Sequence, residues 1–213
     1  MKGAIIGLGI IAAVHVEVLK NLNIDICCVC DIDREKAENF IKDHNIDCMI
    51  YSDYKEMLDN ETIDVVHICT PHHLHAEMCI YALNRDINVL CEKPLCIKHE
   101  EIKDILYAVG NSKAQLGVCL QNRYVDINMY VKDLLSDDKV IDGFGTVLWS
   151  RDKDYYDSAD WRGKLATEGG GVVINQALHT LDLLQWFCGM PHTVNGDVFN
   201  VNHGYIEIGR AHV

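Results

Sequence analysis

Four short stretches of this chain combine residue types and spacings that could do chemistry. They are Gly7-Leu8-Gly9 with Ala12, the run Thr70-Pro71-His72-His73-Leu74-His75, Glu92-Lys93-Pro94, and Gly169-Gly170-Gly171 followed by Asn175 and His179. Glycines before a helix let a diphosphate approach the backbone, a lysine can stabilise an oxyanion, and a histidine can accept a proton. These groups suit a reaction on a small molecule that a bound nucleotide assists.

The first stretch fits the G-x-G-x-x-A pattern of a dinucleotide-binding turn. Gly7 can form the tight turn, Gly9 lacks a Cβ that would block a diphosphate, and Ala12 allows close helix–strand packing. Asp31 follows Gly7 by 24 residues, where a carboxylate binds the adenosine ribose hydroxyls or simply caps the next helix. A carboxylate there repels a 2′-phosphate, so we predict NAD rather than NADP, with nearby Arg34 acting against that preference.

Apolar runs and helical patterns alternate through the first 120 residues. Predicted strands are the opening run, Ile24–Cys30, Asp64–Cys69, Asn88–Cys91 and Gln115–Leu120; predicted helices are one with Ile11, Val14 and Val18 at helical spacing, then Arg34–Asp43, Tyr54–Leu58, His75–Asn84 and Lys98–Val109. This alternation predicts an α/β fold with a doubly wound parallel sheet. Ligands bind there beyond the carboxyl ends of the strands, where the first three stretches would meet.

Charge and composition exclude several classes of protein. The chain has 213 residues, 19 basic and 32 acidic, and a formal net charge of −13, which would repel nucleic acid and anionic membrane surfaces. We therefore predict no nucleic-acid or membrane partner. The apolar start lacks a cleavage site, and no stretch is long enough to span a bilayer, so we predict a cytoplasmic location.

The cysteines and histidines do not predict a metal site. Cys27 and Cys30 form a C-x-x-C spacing, but on a strand these positions face opposite sides. His72, His73 and His75 have no matching carboxylate or cysteine pattern beside them. The ten cysteines are scattered through apolar segments, as expected for buried, reduced thiols.

With His15, the four stretches resemble the Gfo/Idh/MocA family of glucose-fructose oxidoreductase, inositol dehydrogenase and relatives. The resemblance runs from Met1 to about Val201. It implies an N-terminal Rossmann domain followed by an α+β domain of mostly antiparallel sheet. It also implies NAD(P)-dependent oxidation or reduction of a secondary alcohol of a sugar, sugar nucleotide or cyclitol.

The resemblance carries site roles to matching positions. It implies that Lys93 lies beside nicotinamide and substrate, that the Lys93–Pro94 peptide bond is cis, and that His179 accepts the hydroxyl proton. Implied cofactor-binding residues are Gly7, Leu8, Gly9, Ile10, Ile11, Asp31, Thr70, Pro71, His72, His75, Glu92, Lys93 and Gln121. Implied substrate-binding residues are Lys93, Arg123, Tyr156, Trp161, Arg162, Asn175 and His179.

For four of these residues, the sequence also allows a role other than substrate binding as it occurs in relatives. Tyr156, Trp161 and Arg162 lie in a predicted irregular stretch that suits polyol recognition but also suits a loop pinned by its aromatic side chains. Asn175 stands where many relatives have Asp, and an amide can hold a hydroxyl but cannot accept its proton. It indicates a changed substrate or a simpler proton relay.

Three functions follow from the resemblance. The leading one is the dehydrogenase. A second is the family's NAD-dependent glycosidase branch, which would release sugar without accumulating NADH. The third is a non-catalytic nucleotide- and sugar-binding regulator, which Asn175 favours and Lys93 and His179 oppose.

The predicted domains are 1–121, which binds NAD(P), a partial substrate and oligomerisation domain at 122–206, and a non-native tail at 207–213. The second contains a predicted helix at Asp126–Leu135, a strand at Phe144–Ser150, a helix with Asn175 and His179 on one face, and a strand at Thr193–Val201. These strands are too few to cover that helix, so the domain looks incomplete. The resemblance implies a homo-oligomer for the full-length protein.

The last seven residues fit neither a strand nor a helix period. One reverse translation of Glu207–Val213 reproduces a common short-read sequencing adapter. We therefore expect the 213-residue chain to be a fragment of a longer gene product, to bind NAD weakly at best, and to aggregate or lack dehydrogenase activity.

Overall fold

In the computed structural model, residues 1–136, 140–149, 151–200, 204 and 210–212 are described. The chain divides into two compact units, Met1–Cys119 and Leu120–Val213. This boundary lies two residues before the predicted one.

The first unit contains six parallel strands in the order β3-β2-β1-β4-β5-β6. The strands are β1 (Lys2–Ile6), β2 (Asp25–Cys30), β3 (Met49–Tyr51), β4 (Val65–Ile68), β5 (Asn88–Cys91) and β6 (Leu116–Val118). The helices are α1 (Ile10–Asn21), α2 (Arg34–Asp43), α3 (Tyr54–Asn60), α4 (His75–Leu83) and α5 (His99–Asn111), with a 3-10 turn at His72–Leu74. This is the predicted doubly wound parallel sheet. Strand β3 is the one element of this unit that the sequence did not predict.

Parallel strands covered by helices on both faces read as continuous apolar runs, because no face meets water. In β1, Ala4 and Ile5 are fully buried and Ile6 is 2% exposed. Helix α1 is confirmed, but the face that it buries is not the one that the apolar residues predicted. Its buried face consists of Ala12, His15, Val16 and Leu19, whereas Ile11, Val14 and Val18 are 40%, 53% and 44% exposed.

Three strand ends are fastened together at the turn after β1. The Gly7 amide donates to the Cys30 carbonyl at 2.8 Å, and the Cys69 amide donates to the Ile6 carbonyl at 2.8 Å. Gly7 has φ of +84°, and a Cβ there would lie 2.8 Å from Thr70 Cγ2 and 2.9 Å from the Cys69 carbonyl group. Only glycine fits this turn without strain.

A histidine lies inside the sheet of the first unit. His67, on the central strand β4, is 4% exposed, and its Nδ1 lies 2.8 Å from Nδ1 of His15 on α1. One proton is shared at such a contact, since two bare or two protonated nitrogens would repel. Burial, with a smaller contribution from His15, lowers the pKa of His67 from 6.5 to about 4, so the ring is neutral at neutral pH.

The second unit is mainly helical over its described residues. Its elements are a 3-10 turn at Gln121–Tyr124, α6 (Asp126–Leu134), α7 (Lys153–Asp157), α8 (Leu165–Glu168), α9 (Val172–Asn175), α10 (Leu178–Cys188), β7 (Asp197–Phe199) and β8 (Arg210–His212). Strands β7 and β8 pair antiparallel. The mostly antiparallel domain stays a prediction.

Three expectations for the second unit need correction. Residues 144–149 form no strand, and Ser150 lies outside the described residues. The stretch expected to be irregular contains α7, because Asp152 caps its start by accepting from the Tyr155 amide. Asn175 and His179 belong to separate helices, with a break at Gln176 and Ala177.

The chain's last residues also differ from expectation. Arg210–His212 form β8, although no strand was predicted there. Residues 207–209 and Val213, and the Val201 end of the predicted strand, lie outside the described residues. The assignment of 207–213 as a non-native tail stays a prediction.

Replacing Gly7 should destabilise the fold, whereas replacing Gly9 should not. Gly7→Ala forces a side chain into positive φ and against the Cys69 carbonyl, at a cost of about 2 kcal/mol or more. A Cβ at Gly9 meets nothing within 4 Å, so Gly9→Ala is the matched control. Urea unfolding monitored by circular dichroism measures both, and equal midpoints for the two variants would contradict this account.

His67 should make stability depend on pH. Between pH 6.5 and about 4 the unfolded chain binds a proton that the folded chain does not, so the free energy of unfolding falls as pH falls. The loss approaches about 3 kcal/mol at pH 4 and is absent above pH 6.5. Urea unfolding across this range should show a flatter pH dependence for His67→Gln, and identical slopes for the two proteins would be the contrary result.

Candidate functional site

The turn before α1 leaves room for an anion. Gly9 is the N-cap residue of α1, and no side chain caps this helix end. The first amides of a helix have no intrahelical acceptor and lie at the positive end of its dipole. Because the position of a Gly9 Cβ is open and Ala12 is fully buried against the sheet, backbone donors of Ile10 and Ile11 can be approached closely. This arrangement fits a diphosphate.

Asp31 lies at the end of β2 and is 7% exposed. Its carboxylate accepts from the Leu8 amide at 2.9 Å, the Asp33 amide at 3.1 Å and Lys36 Nζ at 2.6 Å. Burial acts to raise the pKa of Asp31, but the hydrogen bonds from Lys36, Leu8 and Asp33 outweigh it and lower the pKa. Asp31 is therefore an ionised acceptor tied to the glycine turn.

The basic residue that contacts Asp31 is Lys36, and not the nearby Arg34 that acts against the preference for NAD in the sequence. Arg34 instead pairs with Glu38, one turn along α2, at 3.0 Å between Nε and Oε1. Lys36 reaches Asp31 from the first turn of α2. The sequence contained this signal, since residues in the first turn of a helix can reach back past its N-cap.

His75 connects two turns of the candidate site through its ring nitrogens. It is fully buried, with Nδ1 2.7 Å from the Pro94 carbonyl and Nε2 2.7 Å from the Thr70 carbonyl. Burial lowers the pKa of His75, although its contacts with the two carbonyls act in the opposite direction. The ring thus joins the two turns internally, and its contact with a cofactor stays a prediction. His72 is also buried, at 6% exposure.

Glu92 links the lysine turn to α1. Its Oε1 lies 3.1 Å from His15 Nε2, and its Oε2 accepts from the Lys93 amide at 3.1 Å. Burial acts to raise the pKa of Glu92, but His15 and Lys93 outweigh it, so the pKa is lowered. The Lys93–Pro94 peptide bond is cis, as the resemblance implied.

Three possible metal ligands also meet here. Donor atoms of His15, Glu92 and Cys119 lie within 4.8 Å of one another. Burial first, then the Glu92 carboxylate, raises the pKa of the Cys119 thiol to about 12. A protonated thiol and a hydrogen-bonded histidine account for the cluster without an ion. The sequence did not reveal it because its members come from distant segments, and the absence of a metal site stays a prediction.

In the second unit, Asn175 lies beside a buried carboxylate. Glu168 is 1% exposed, accepts from the Gly163 amide at 2.6 Å, and accepts from Asn175 Nδ2 through its other oxygen. Asn175 Nδ2 also lies 3.2 Å from the Tyr155 hydroxyl oxygen. Glu168 and Asn175 thus form a hydrogen-bonded pair in which the carboxyl group is buried.

Tyr155 is the centre of an aromatic and cationic cluster. Arg162 donates from Nη1 to the Tyr155 hydroxyl at 2.5 Å, and its Cζ lies 4.3 Å from the Tyr155 ring and 4.6 Å from the Trp161 ring. Arg151 lies over the same ring with Cζ 4.4 Å from its centre. Tyr156 packs edge-on against Tyr155, with ring centres 5.2 Å apart. The predicted residues Asn175, Arg162, Trp161 and Tyr156 are therefore brought together around Tyr155.

Three other predicted residues are placed differently. Arg123 forms a two-point ion pair with Asp182, at 2.7 Å from Nε and 2.5 Å from Nη2. This pair engages Nε and Nη2 of Arg123, and the substrate contact at Arg123 stays a prediction. Gln121 is exposed in the 3-10 turn, and His179 is half-buried in the first turn of α10.

The sequence missed several contributors, namely Lys36, His67, Arg151, Tyr155 and Glu168. Tyr155 and Glu168 lie next to candidate residues in the sequence, and their aromatic and acidic side chains could have identified them as further candidates. His67 and Arg151 carried none, because their importance comes from partners on other elements.

All ten cysteines are free thiols. Over the part of the chain that the structure describes, no helix has both the length and the apolar composition that crossing a membrane requires.

The chain resembles several characterised proteins. It is 24% identical over 189 residues to inositol 2-dehydrogenase from Salmonella paratyphi B, covering 87% of this chain and 54% of the relative. It is 29% identical over 147 residues to levoglucosan dehydrogenase from Pseudarthrobacter phenanthrenivorans, covering 68% and 38%. The chain thus spans about half or less of the length of these relatives.

A solved structure gives a closer comparison of folds. The WlbA dehydrogenase from Bordetella pertussis, in complex with NADH and UDP-GlcNAcA, superimposes with a TM-score of 0.88 at 26% identity, covering 98% of this chain and 64% of that one. The model for the oxidoreductase family with an NAD-binding Rossmann fold matches residues 1–120, and the GFO/IDH/MocA C-terminal domain model matches residues 139–211. Since the first model alone covers more than half of the chain, this protein belongs to the GFO/IDH/MocA oxidoreductase family.

Proposed function

We propose that this chain carries the cofactor site and part of the substrate site of an NAD-dependent dehydrogenase. Its substrate is a secondary alcohol of a sugar, sugar nucleotide or cyclitol. The observation that carries the proposal is the meeting of the open Gly9 turn, the ionised Asp31 and the Glu92-Lys93-Pro94 turn at the carboxyl edge of one parallel sheet. Family relatives named for inositol and levoglucosan oxidation support the substrate class.

The residues of the first unit fit NAD in detail. The amides of Gly9, Ile10 and Ile11 would hold the diphosphate, because a Cβ at Gly9 would meet nothing and the Leu8 amide already donates to Asp31. Asp31 would accept from the adenosine ribose hydroxyls, and its charge disfavours a 2′-phosphate. The Thr70-Pro71-His72 turn would border the nicotinamide. When bound, NAD supplies a ring carbon that accepts hydride.

Lys93 and His179 divide the chemistry of alcohol oxidation. His179 takes the hydroxyl proton on an imidazole nitrogen while the substrate carbon gives up its hydride. The Lys93 ammonium stabilises the negative charge that develops on the substrate oxygen. Glu92 positions Lys93 by accepting from its backbone amide.

Asn175 holds the substrate hydroxyl in this scheme. Its amide is turned by the buried Glu168 carboxylate, which accepts one of its N–H groups. Tyr156, Trp161 and Arg162 bind the remaining hydroxyls of the substrate.

A regulatory role is the second candidate, because Asn175 cannot accept a proton. A regulator would bind the nucleotide and a sugar and leave the sugar unchanged. Sustained NADH production by the full-length protein with any sugar or cyclitol would exclude it. We also propose that the full-length protein is a homo-oligomer in the cytoplasm.

Asp31 should control the choice of cofactor. Asp31→Ser removes the acceptor for the ribose hydroxyls and the charge that repels a 2′-phosphate, so the ratio of NADPH to NADH affinity should rise at least about tenfold. Fluorescence titration of the full-length protein with each cofactor measures the ratio. Lys55→Met removes an exposed charge that is paired with Glu77 and is the control. An unchanged ratio in Asp31→Ser would refute the assignment.

Lys93 and His179 should affect turnover more than cofactor binding. In the full-length protein, Lys93→Met and His179→Gln should each lower kcat at least about 100-fold. The first variant removes the cation that stabilises the oxyanion, and the second removes the group that accepts the hydroxyl proton. The Kd for NADH should change less than about threefold. Lys55→Met, at an exposed pair with Glu77, is the control. Normal turnover in both variants would show that the catalytic assignment is wrong.

A further inference from the structure

We propose that Arg151 and Arg162 form a subsite for an anionic group of the substrate, a carboxylate or phosphate carried by the sugar. The inference rests on the proposed function and narrows its substrate class. It comes from two guanidinium groups that approach the Tyr155 ring at 4.4 and 4.3 Å.

The two arginines lack the acidic partners that buried cations normally have. Their Nε atoms are buried and find no hydrogen-bond acceptor among the described residues. None of the ion pairs in the described ranges includes Arg151 or Arg162. Since desolvating a charge is costly unless it is paired, these N–H groups favour an acceptor that arrives from outside the chain.

The absence of pairing is notable because carboxylates are close in sequence. Asp152 caps α7 through the Tyr155 amide, and Asp157 pairs with Lys153. Glu168, the buried carboxylate of this unit, accepts from the Gly163 amide and from Asn175. These three carboxylates are therefore engaged elsewhere.

Contacts with aromatic rings hold the guanidinium groups in place. Arg151 lies 5.2 Å from the Trp149 ring, Arg162 lies 4.6 Å from the Trp161 ring, and Arg162 also donates to the Tyr155 hydroxyl. Stacking uses the flat faces of a guanidinium and leaves its edge N–H groups for a planar carboxylate or a phosphate. Asn175 donates to the same Tyr155 hydroxyl, which connects the subsite to the residue proposed to hold the reacting alcohol.

The anion could belong to the sugar ring or to a nucleotide attached to it, and both sources offer the same oxygen chemistry. Three probes separate them. Glucuronate carries a ring carboxylate, UDP-glucose carries a diphosphate, and glucose carries neither. Intrinsic tryptophan fluorescence, to which Trp149 and Trp161 beside the guanidinium groups contribute together with Trp186, reports binding.

The test titrates the full-length protein, with NADH present, with each probe at constant ionic strength. We expect glucuronate or UDP-glucose to bind at least about tenfold more tightly than glucose. Arg151→Met and Arg162→Met should each remove most of that preference, and the corresponding Lys variants should retain part of it because they keep the charge. Arg34→Met should leave the preference unchanged.

Equal affinity for all three probes, failure of both anions to bind, or an undiminished preference in the Met variants would overturn the subsite. A purely structural role predicts a different pattern, in which the Met variants lower the Tm and leave relative affinities unchanged. NADH titration without any sugar reports separately on the proposed function. If the protein binds NADH but shows no preference for the anionic probes, the subsite is refuted and the proposed function is not.

Discussion

The positive φ of Gly7 is the constraint on which the rest of the first unit depends. This turn is held by hydrogen bonds that join the ends of β1, β2 and β4, and a Cβ would strike the Cys69 carbonyl group. It ends β1 early enough for α1 to begin at Ile10, and it turns the Leu8 amide toward Asp31. One backbone conformation thus creates both the open turn proposed for the diphosphate and the orientation of Asp31.

Hydrogen-bond donors compensate the buried acidic side chains of this chain. Asp31, Glu92, Glu168 and Asp182 are all largely withdrawn from water, and each accepts from nearby N–H groups. For Asp31 and Glu92, these donors outweigh burial and keep the pKa low. Buried acids with fixed donors are rigid, because moving them would expose an unpaired charge to an apolar surrounding. The proposed catalytic and binding residues lie next to these fixed acids.

The sequence predicted the first unit well because parallel strands covered on both faces appear as apolar runs between helical patterns. Strand β3 was not predicted, because it has only three residues and neither of its faces is fully buried. The strand at Phe144–Ser150 was predicted from apolar residue types, yet Phe144 is 92% and Leu148 88% exposed. Side-chain partners were harder to predict, since His15 and Glu92 lie 77 residues apart in the chain. Such pairs depend on strand order, which local patterns do not contain.

The central claim is that the carboxyl edge of the first unit binds NAD through the Gly7–Gly9 turn and Asp31. Amide NMR of the 15N-labelled full-length protein during titration with NADH tests it most directly. The account predicts saturable shifts concentrated at Leu8, Gly9, Ile10 and Asp31, with little change on the strands' amino ends. Absence of saturable shifts, or shifts concentrated away from these residues, would contradict the account.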